Sequence, residues 1–318
     1  MPADAETRLR AAVDVAVRSL GPLAELDVPL GPLTTYRVGG SAAVLVRATG
    51  RSDLVAAVEA ANASGLPILP VGRGSNMLVA DAGCPGIAVS LVELPVVIDI
   101  ATETSIVTVS AGASLPVVAR KTASAGLTGF EWAVGVPGSI GGAVRMNAGG
   151  HGSDMAGSLI DVTIVDTGGA SARERILSLA EIGLSFRHSE LPTAAIVVEA
   201  RLQLSPGDAD ASKQLISEIV TWRHQNQPGG QNAGSVFVNP VPGEVSAGAL
   251  VDAAGLRGLR HGSAHVSTKH ANFIQADEGG SADDVRALMR IVRDRVAKTS
   301  GYVLRSEIRL VGFEDGEL

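Results

Sequence analysis

The sequence predicts an α+β fold organised as two domains. Helical and strand-like segments mix along the chain without the strict alternation of a doubly wound parallel sheet. At 318 residues, the chain is long enough for two cores. A composition shift at Ser205-Pro206-Gly207-Asp208 marks a boundary, giving expected domains 1–204 and 205–318.

The elements follow in order. Leu9, Val13, Val17 and Leu20 fall on one stripe and predict a helix over 6–19. Ala42 to Arg47 is a short β-rich run. Ser52 is expected to cap a helix reaching Ala63, with Leu54, Val55 and Val58 apolar and Gly65 as its stop. Pro67 to Val71 reads as a buried strand, Gly86 to Val92 and Ser105 to Ser110 as further strands, and Ser114 to Ala125 as a helix stopped by Gly126. Leu159 to Val165 and Ala195 to Leu204 are strand-like. Beyond the boundary, Ala211 to Gln225 is helical and ends in Pro228-Gly229-Gly230, and Val245 to Ala254 is another helix. The strongest helical signal covers Ala282 to Thr299. There Val285, Leu288, Met289, Val292 and Val296 share a face between the caps Ser281 and Gly301. Val303 to Val311 is expected to close the chain as a strand. No internal repeat or low-complexity tract interrupts this order.

Hydrophobic residues make up 46% and charged residues 19%, enough for a sizeable core. A net charge of −7 argues against nucleic acid as a partner, because phosphate binding needs a basic face. Cys84 is the only cysteine, which excludes an internal disulfide and a cysteine-based metal cluster and fits a reducing compartment. The N-terminal stretch MPADAETRLRAAVDVAVRSL lacks an apolar core and reads as an amphipathic helix rather than a signal peptide. No apolar run approaches the ~20 residues that span a bilayer. A cytoplasmic protein with no membrane partner is expected.

Glycine carries the chemical signal. In GVPGSIGGAVRMNAGGHG, residues 135–152, seven of the eighteen residues are glycine. A shorter loop, Gly72-Arg73-Gly74-Ser75-Asn76, follows Leu69-Pro70-Val71. Glycine is costly to order, so such density points to close backbone approach or positive φ. Two such loops suggest a diphosphate-bearing ligand held by backbone N–H groups. Neither loop is a Rossmann fingerprint, and the absence of any Gly-Lys pair excludes a P-loop. Plain tight turns are the alternative, but Ser75, Asn76, Ser139 and Asn147 beside the glycines favour a ligand.

Taken together, these motifs resemble the flavin-dependent UDP-N-acetylenolpyruvoylglucosamine reductases. The resemblance runs through Thr35-Tyr36-Arg37-Val38-Gly39-Gly40, GRGSNMLVAD at 72–81, and GLTGFEWAVGVPGSIGGAVRMNAGGHG at 126–152. It continues through Phe186-Arg187-His188-Ser189, Gly234-Ser235-Val236-Phe237-Val238-Asn239-Pro240 and Glu307-Ile308-Arg309. It implies an FAD-binding half of the vanillyl-alcohol-oxidase (PCMH) type with two subdomains over 1–204. It also implies an α+β substrate domain over 205–318. FAD would be held non-covalently by Val71, Gly72, Gly74, Ser75, Asn76, Met77, Gly135, Val136, Pro137, Gly138, Ser139, Gly142, Ala143, Asn147 and Gly149. No bond to His151, the histidine within these loops, is expected. One helix and a glycine loop fill the stretch from Pro206 to Ser235, which favours the family type without an inserted lid. The implied partners are UDP-N-acetylglucosamine enolpyruvate and NADPH, and the sequence leaves the oligomeric state open, a monomer included.

In the implied reaction, NADPH reduces the flavin and a hydride then passes to C3 of the enolpyruvyl ether, leaving an electron-rich C2 to be protonated. Ser235 matches the family's proton donor, Arg187 its active-site arginine and Glu307 its catalytic glutamate. Without the resemblance, Gly234-Ser235 also reads as a turn, Arg187 as a solvated cation and Glu307 as the wet face of a strand. Asn239 is either a substrate contact or an Asn-Pro turn. Arg223 and Lys269 are either ligands of the UDP phosphates or surface cations on an acidic protein. Phe186 stands where the family usually has tyrosine, and Arg145 where an aromatic residue is common. His261, His265 and His270 are scattered by strand-like surroundings and are not expected to bind metal. Trp132 and Trp222 are expected to pack rather than stack on flavin. Two other readings remain, an oxidase of a small alcohol and a non-catalytic nucleotide-binding module. The oxidase leaves Ser235, Arg187 and Glu307 without a joint purpose, and the module would tolerate loss of all three while keeping both glycine loops.

Overall fold

Leu54, Ala57, Val58, Ala60 and Ala61 recur at helical spacing, and they form the face that helix Arg51–Ser64 buries. In the computed structural model, which describes residues 3–166, 172–313 and 318, this helix and Ala3–Leu20 accompany a four-stranded sheet. Its order is Glu25–Pro29, Ser41–Arg47, Cys84–Ser90, Ile68–Val71. The last two strands run parallel, Ile68 opposite Ile87 and Val71 opposite Ser90. Leu20, Val44, Val46, Leu54, Val58, Ile68 and Val89 belong to this core. The N-cap of helix Arg51–Ser64 is Gly50 rather than the expected Ser52. The Asp53 carboxylate accepts from the N–H groups of Thr49 at 2.8 Å and Gly50 at 3.2 Å, so the cap comes from inside the first turn. Gly65 ends it in the left-handed region, as expected.

A second sheet of five antiparallel strands has the order Arg173–Ser178, Leu159–Asp166, Ile196–Gln203, Ile106–Ser110, Ile98–Ala101. Helices Leu115–Ser124 and Ile140–Met146 contribute to its core through Leu115, Val118, Ile140 and Val144. Ile216 and Ile219 of helix Ala209–Asn226 join the same core. Glu131 fastens that helix, accepting from Ser212 Oγ, from Thr128 Oγ1 at 2.8 Å and from Gly129 N–H at 2.8 Å. Burial alone would push its carboxyl up, but these hydrogen bonds win and hold it below the usual range. Met1–Asp27, Ala43–Arg73 and Pro85–Arg223, which hold most of these elements, make up one compact unit.

The other unit gathers Val28–Ala42, Gly74–Cys84 and His224–Leu318. Its main helix, Ala282–Ser300, buries Val285, Leu288, Met289, Val292 and Val296, the face read from the sequence. Ser281 Oγ accepts from Asp284 N–H at 3.1 Å, and Gly301 closes the helix, so both caps stand as expected. A remote residue adds to the start: Asp81 accepts from the N–H groups of Ala282 at 3.0 Å and Asp283 at 3.2 Å. The helix packs on a three-stranded antiparallel sheet, Arg260–His261, Ala264–Val266, Ile274–Ala276. Tyr36 lies within this core and donates its hydroxyl to Ile274 O at 3.0 Å, and burial pushes its ionisation above the ordinary range.

The closing strand is shorter than expected. Only Arg309–Val311 is extended, pairing in parallel with Met77–Val79. Before it, Ser306 Oγ donates to Ile308 O at 2.7 Å and bends the backbone, while Leu304 and Ile308 remain buried. Over 303–308 of the expected strand, burial still alternates as in a strand, but no continuous ladder accompanies it.

Candidate active site

In the first unit the two glycine loops meet. Strand Ile68–Val71 delivers Gly72 against Ser139, so close that a methyl group at 72 would lie 2.5 Å from Ser139 Oγ. Gly72 and Arg73, with Gly112, Ser114 and Ser139, line a groove of about 200 Å³ whose remaining wall is Leu91, Val92, Val96 and Val117. The lining combines glycine backbone, two serine hydroxyls and Arg73 with apolar side chains, a mix that suits a nucleotide with phosphates and a flat ring. Gly112 and Ser114 were not foreseen. Their signal, Ala111-Gly112-Ala113-Ser114 before a helix, is a third small-residue turn too short to stand out.

The second glycine loop spends much of its polar capacity on bonds within the first unit. Ile140 N–H donates to Ala113 O at 2.9 Å, Gly141 N–H to Ala111 O at 2.8 Å and Ala143 N–H to Ser139 O at 2.9 Å. Gly142 N–H reaches Ser139 Oγ at 3.4 Å. Asn147, left-handed at φ 40°, donates to Asp154 Oδ2 at 3.0 Å and Ser185 O at 2.9 Å, and accepts from Ala156 N–H at 3.0 Å. These bonds bring the loop beside Arg187, whose guanidinium donates to Gly149 O at 2.9 Å and lies over the Phe186 ring at 5.4 Å. Arg145 has a structural role. It donates to the carbonyls of Leu191 at 3.1 Å, Pro192 at 2.9 Å and Ala195, which ties the short helix to the 191–195 turn. The His151 and Trp222 rings meet edge to face at 5.2 Å, and Trp132 packs on Phe130 at 5.3 Å. Burial, then the charge of Arg223, pushes the His151 imidazole below its ordinary pKa, and burial lowers that of Arg223.

The second unit holds the other candidates. Gly74 has φ +58°, and a side chain there would overlap Leu33 O and lie 2.6 Å from Thr34 Cα. Thr35 N–H donates to Gly74 O at 3.2 Å, so the first glycine loop is pinned to the Thr35–Gly40 motif. Ser235 follows Gly234, which turns the chain at φ +80°. Val238 N–H donates to Arg305 O at 3.0 Å and Glu307 N–H to Val236 O at 2.9 Å. The backbones carrying Ser235 and Glu307 thus lie side by side, with Val236 directly opposite Glu307. Asn272, buried and unforeseen, accepts from Phe237 N–H at 3.1 Å and donates to Phe237 O at 2.8 Å, imitating a strand. Asn239 Oδ1 accepts from Ala247 N–H at 3.0 Å at the start of helix Ala247–Ala253, and Lys269 Nζ donates to His224 O. The structure therefore runs the backbone segments that carry Ser235 and Glu307 side by side, while Arg187 stands with the glycine loop of the first unit.

Residues 225–311 match the domain described as UDP-N-acetylenolpyruvoylglucosamine reductase, C-terminal domain. Over 303 residues the chain is 39% identical to the UDP-N-acetylenolpyruvoylglucosamine reductase of Rubrobacter xylanophilus, covering 94% of this chain and 99% of that one. The chain belongs to the UDP-N-acetylenolpyruvoylglucosamine reductase family. The reductase of a Synechococcus strain is 41% identical across 90% of this chain and 93% of its own. The crystal structure of UDP-N-acetylenolpyruvylglucosamine reductase from Thermus caldophilus superposes with a TM-score of 0.77 at 34% identity, over 91% of this chain and 98% of that one. Residues 42–171 match an FAD binding domain, and every residue that lines the groove at Gly72 falls within them. The reductase chain is thus an FAD-dependent oxidoreductase with an α+β fold of the expected type. Among its described residues no helix is long and apolar enough to cross a membrane.

The groove suits part of that cofactor: Gly72 lies so close to Ser139 that a side chain at 72 would have to displace the Ser139 hydroxyl, and the exposed Val92, Val96 and Val117 offer apolar cover. FAD, when bound, supplies a two-electron carrier that accepts and gives a hydride.

One prediction concerns pH. His270 is held below its ordinary pKa, first by burial and then by the charge of Arg257, and its Nδ1 accepts from Asn272 N–H at 3.2 Å. The fold therefore favours neutral imidazole. Its contribution is complete above the ordinary value of about 6.5 and is lost as the pH falls through the lowered one. The melting temperature is expected to fall between about pH 7 and pH 5, and less steeply in His270→Gln. Equal slopes would remove His270 from the account.

Proposed function

We propose that the chain reduces UDP-N-acetylglucosamine enolpyruvate to UDP-N-acetylmuramate with NADPH, in the cytoplasm, with residues 1–204 binding FAD and 205–318 the substrate. The adjacency of the segments that carry Ser235 and Glu307, remote in sequence yet joined by the Glu307–Val236 backbone hydrogen bond at 2.9 Å, carries this reading. Addition of a hydride to C3 of the enolpyruvyl ether leaves negative charge spread over C2 and its carboxylate. Ser235 gives its hydroxyl proton to C2. A serine is a weak acid in water, but it suffices against a carbanion-like centre when held in place. Arg187 offers a planar, permanently charged fork to the carboxylate and lowers the energy of that electron-rich state. Glu307 orients the hydroxyl, directly or through water, and helps to restore its proton. Asn239, Arg223 and Lys269 contribute on the substrate side, the two cations toward the diphosphate. The glycine segments, with Val71, Ser75, Asn76, Met77, Val136 and Pro137, hold FAD without a covalent bond.

The test is direct. The purified protein is expected to be yellow, to be bleached anaerobically by NADPH, and to recover its colour on adding the enolpyruvyl substrate. Bleaching by a small alcohol rather than by NADPH, with recovery on dioxygen and none on the enolpyruvyl ether, would favour an oxidase. A colourless protein that takes up no FAD would end both readings.

A further inference from the structure

Glu307 sits where the chain has left one neighbour and not yet joined the next. Its N–H is committed to Val236 O, while the parallel ladder with Met77–Val79 starts only at Arg309. Across that gap stands Asn76. Its carbonyl accepts from Arg309 N–H at 3.0 Å, and its side-chain Nδ2 donates to Glu307 O at 3.1 Å. The amide thus replaces the ladder bond missing where the backbone bends at Ser306 and Ile308. Two donors, Glu307 N–H and Asn76 Nδ2–H, fix the peptide groups on both sides of the Glu307 Cα, and with them the direction from which its side chain starts.

We infer that Asn76 is a positioning residue, whose side-chain amide holds Glu307 in register with the Ser235 segment. The inference rests on the proton-handling role proposed for Glu307. It gives the first glycine loop a second duty: the loop expected to hold FAD through its backbone also braces, through one side chain, the carboxylate-bearing segment. A one-atom change at Asn76 therefore acts on protonation of the substrate rather than on its binding. Asp81, just beyond the strand Met77–Val79 that follows this loop, is bonded to the start of helix Ala282–Ser300, so the brace has a fixed base.

Anaerobic stopped-flow measurements on the FAD-loaded full chain follow reduction by NADPH and reoxidation by the enolpyruvyl substrate separately. Asn76→Ala is expected to slow reoxidation about tenfold, the size of one lost hydrogen bond that also orients a reacting group. The loss should appear in kcat with KM little changed, and reduction by NADPH should slow far less. Should Asn76→Ala fail to fold, Asn76→Asp carries the test, because it keeps the side-chain volume but has no N–H to donate. An equal slowing of both half-reactions, together with lost FAD and a lower melting temperature, would reduce Asn76 to a structural role and overturn the inference. Wild-type reoxidation in both variants would also overturn it. Ser235→Ala and Glu307→Gln serve as references. If they slow reoxidation and the Asn76 variants do not, only the positioning role falls. If neither reference slows reoxidation, the reading of the site falls and the inference with it.

Discussion

Ser235→Ala is expected to cut the rate of flavin reoxidation by the enolpyruvyl substrate by about 10³-fold, within the range of a lost general acid, while reduction by NADPH stays near the wild-type rate. The asymmetry follows from chemistry. Protonation at C2 belongs to the second half-reaction alone, and removing a hydroxyl changes neither the groove at Gly72 and Ser139 nor its valine wall. The segment is also secured independently of the hydroxyl. Val236 and Phe237 are bonded to Asn272, and Val238 to Arg305, so the variant should fold. Solvent deuterium incorporated at C2 gives a second readout, because water reaching the intermediate in place of the hydroxyl would scramble its stereochemistry. Equal losses in both half-reactions would remove Ser235 from the proton path.

Gly74→Ala is expected to cost the second unit about 3–5 kcal/mol, from a strained left-handed backbone and from overlap with fixed neighbours. The obstruction is backbone, Leu33 O and Thr34 Cα, so no rotamer change relieves it. Relief would require moving the 33–35 segment, which carries Tyr36 in the core and its hydroxyl bond to Ile274 O. Gly150→Ala is the matched control in the other glycine loop, since a methyl there meets nothing within 4 Å and φ is not positive. Thermal and denaturant unfolding of both variants decides the matter. Near-wild-type stability in Gly74→Ala would mean that this loop yields more readily than its packing implies.

Much of this was legible in the sequence because it depends on local periodicity. The stripe in Ala282–Ser300 predicted the buried face and both caps, since a helix folds its own pattern onto one side. The glycine loops announced themselves because residues without side chains are costly to order, and they cluster where backbone must come close to something. Their partners did not. Asp53 capping its helix from within and Asp81 capping another from a distant loop are hydrogen bonds whose second halves lie elsewhere in the chain. Asn272 gave no signal at all: an asparagine that acts as a piece of strand looks like any loop asparagine until Phe237 is placed against it. Arg145, unexplained in the sequence, is accounted for by carbonyls of the 191–195 turn.

By itself the sequence determined the α+β class, the order of most helices and strands, and the two bends where backbone takes the place of side chains. These follow from residue size, φ preference and apolar spacing, which each segment carries with it. Only the tertiary structure decided that Gly72 rests on Ser139, that Glu307 leaves its strand and is bonded to Val236 and Asn76, and that Asn147 and Gly149 brace Arg187. Those outcomes depend on which distant donors and acceptors meet once the cores close, and no local preference of a single segment encodes them.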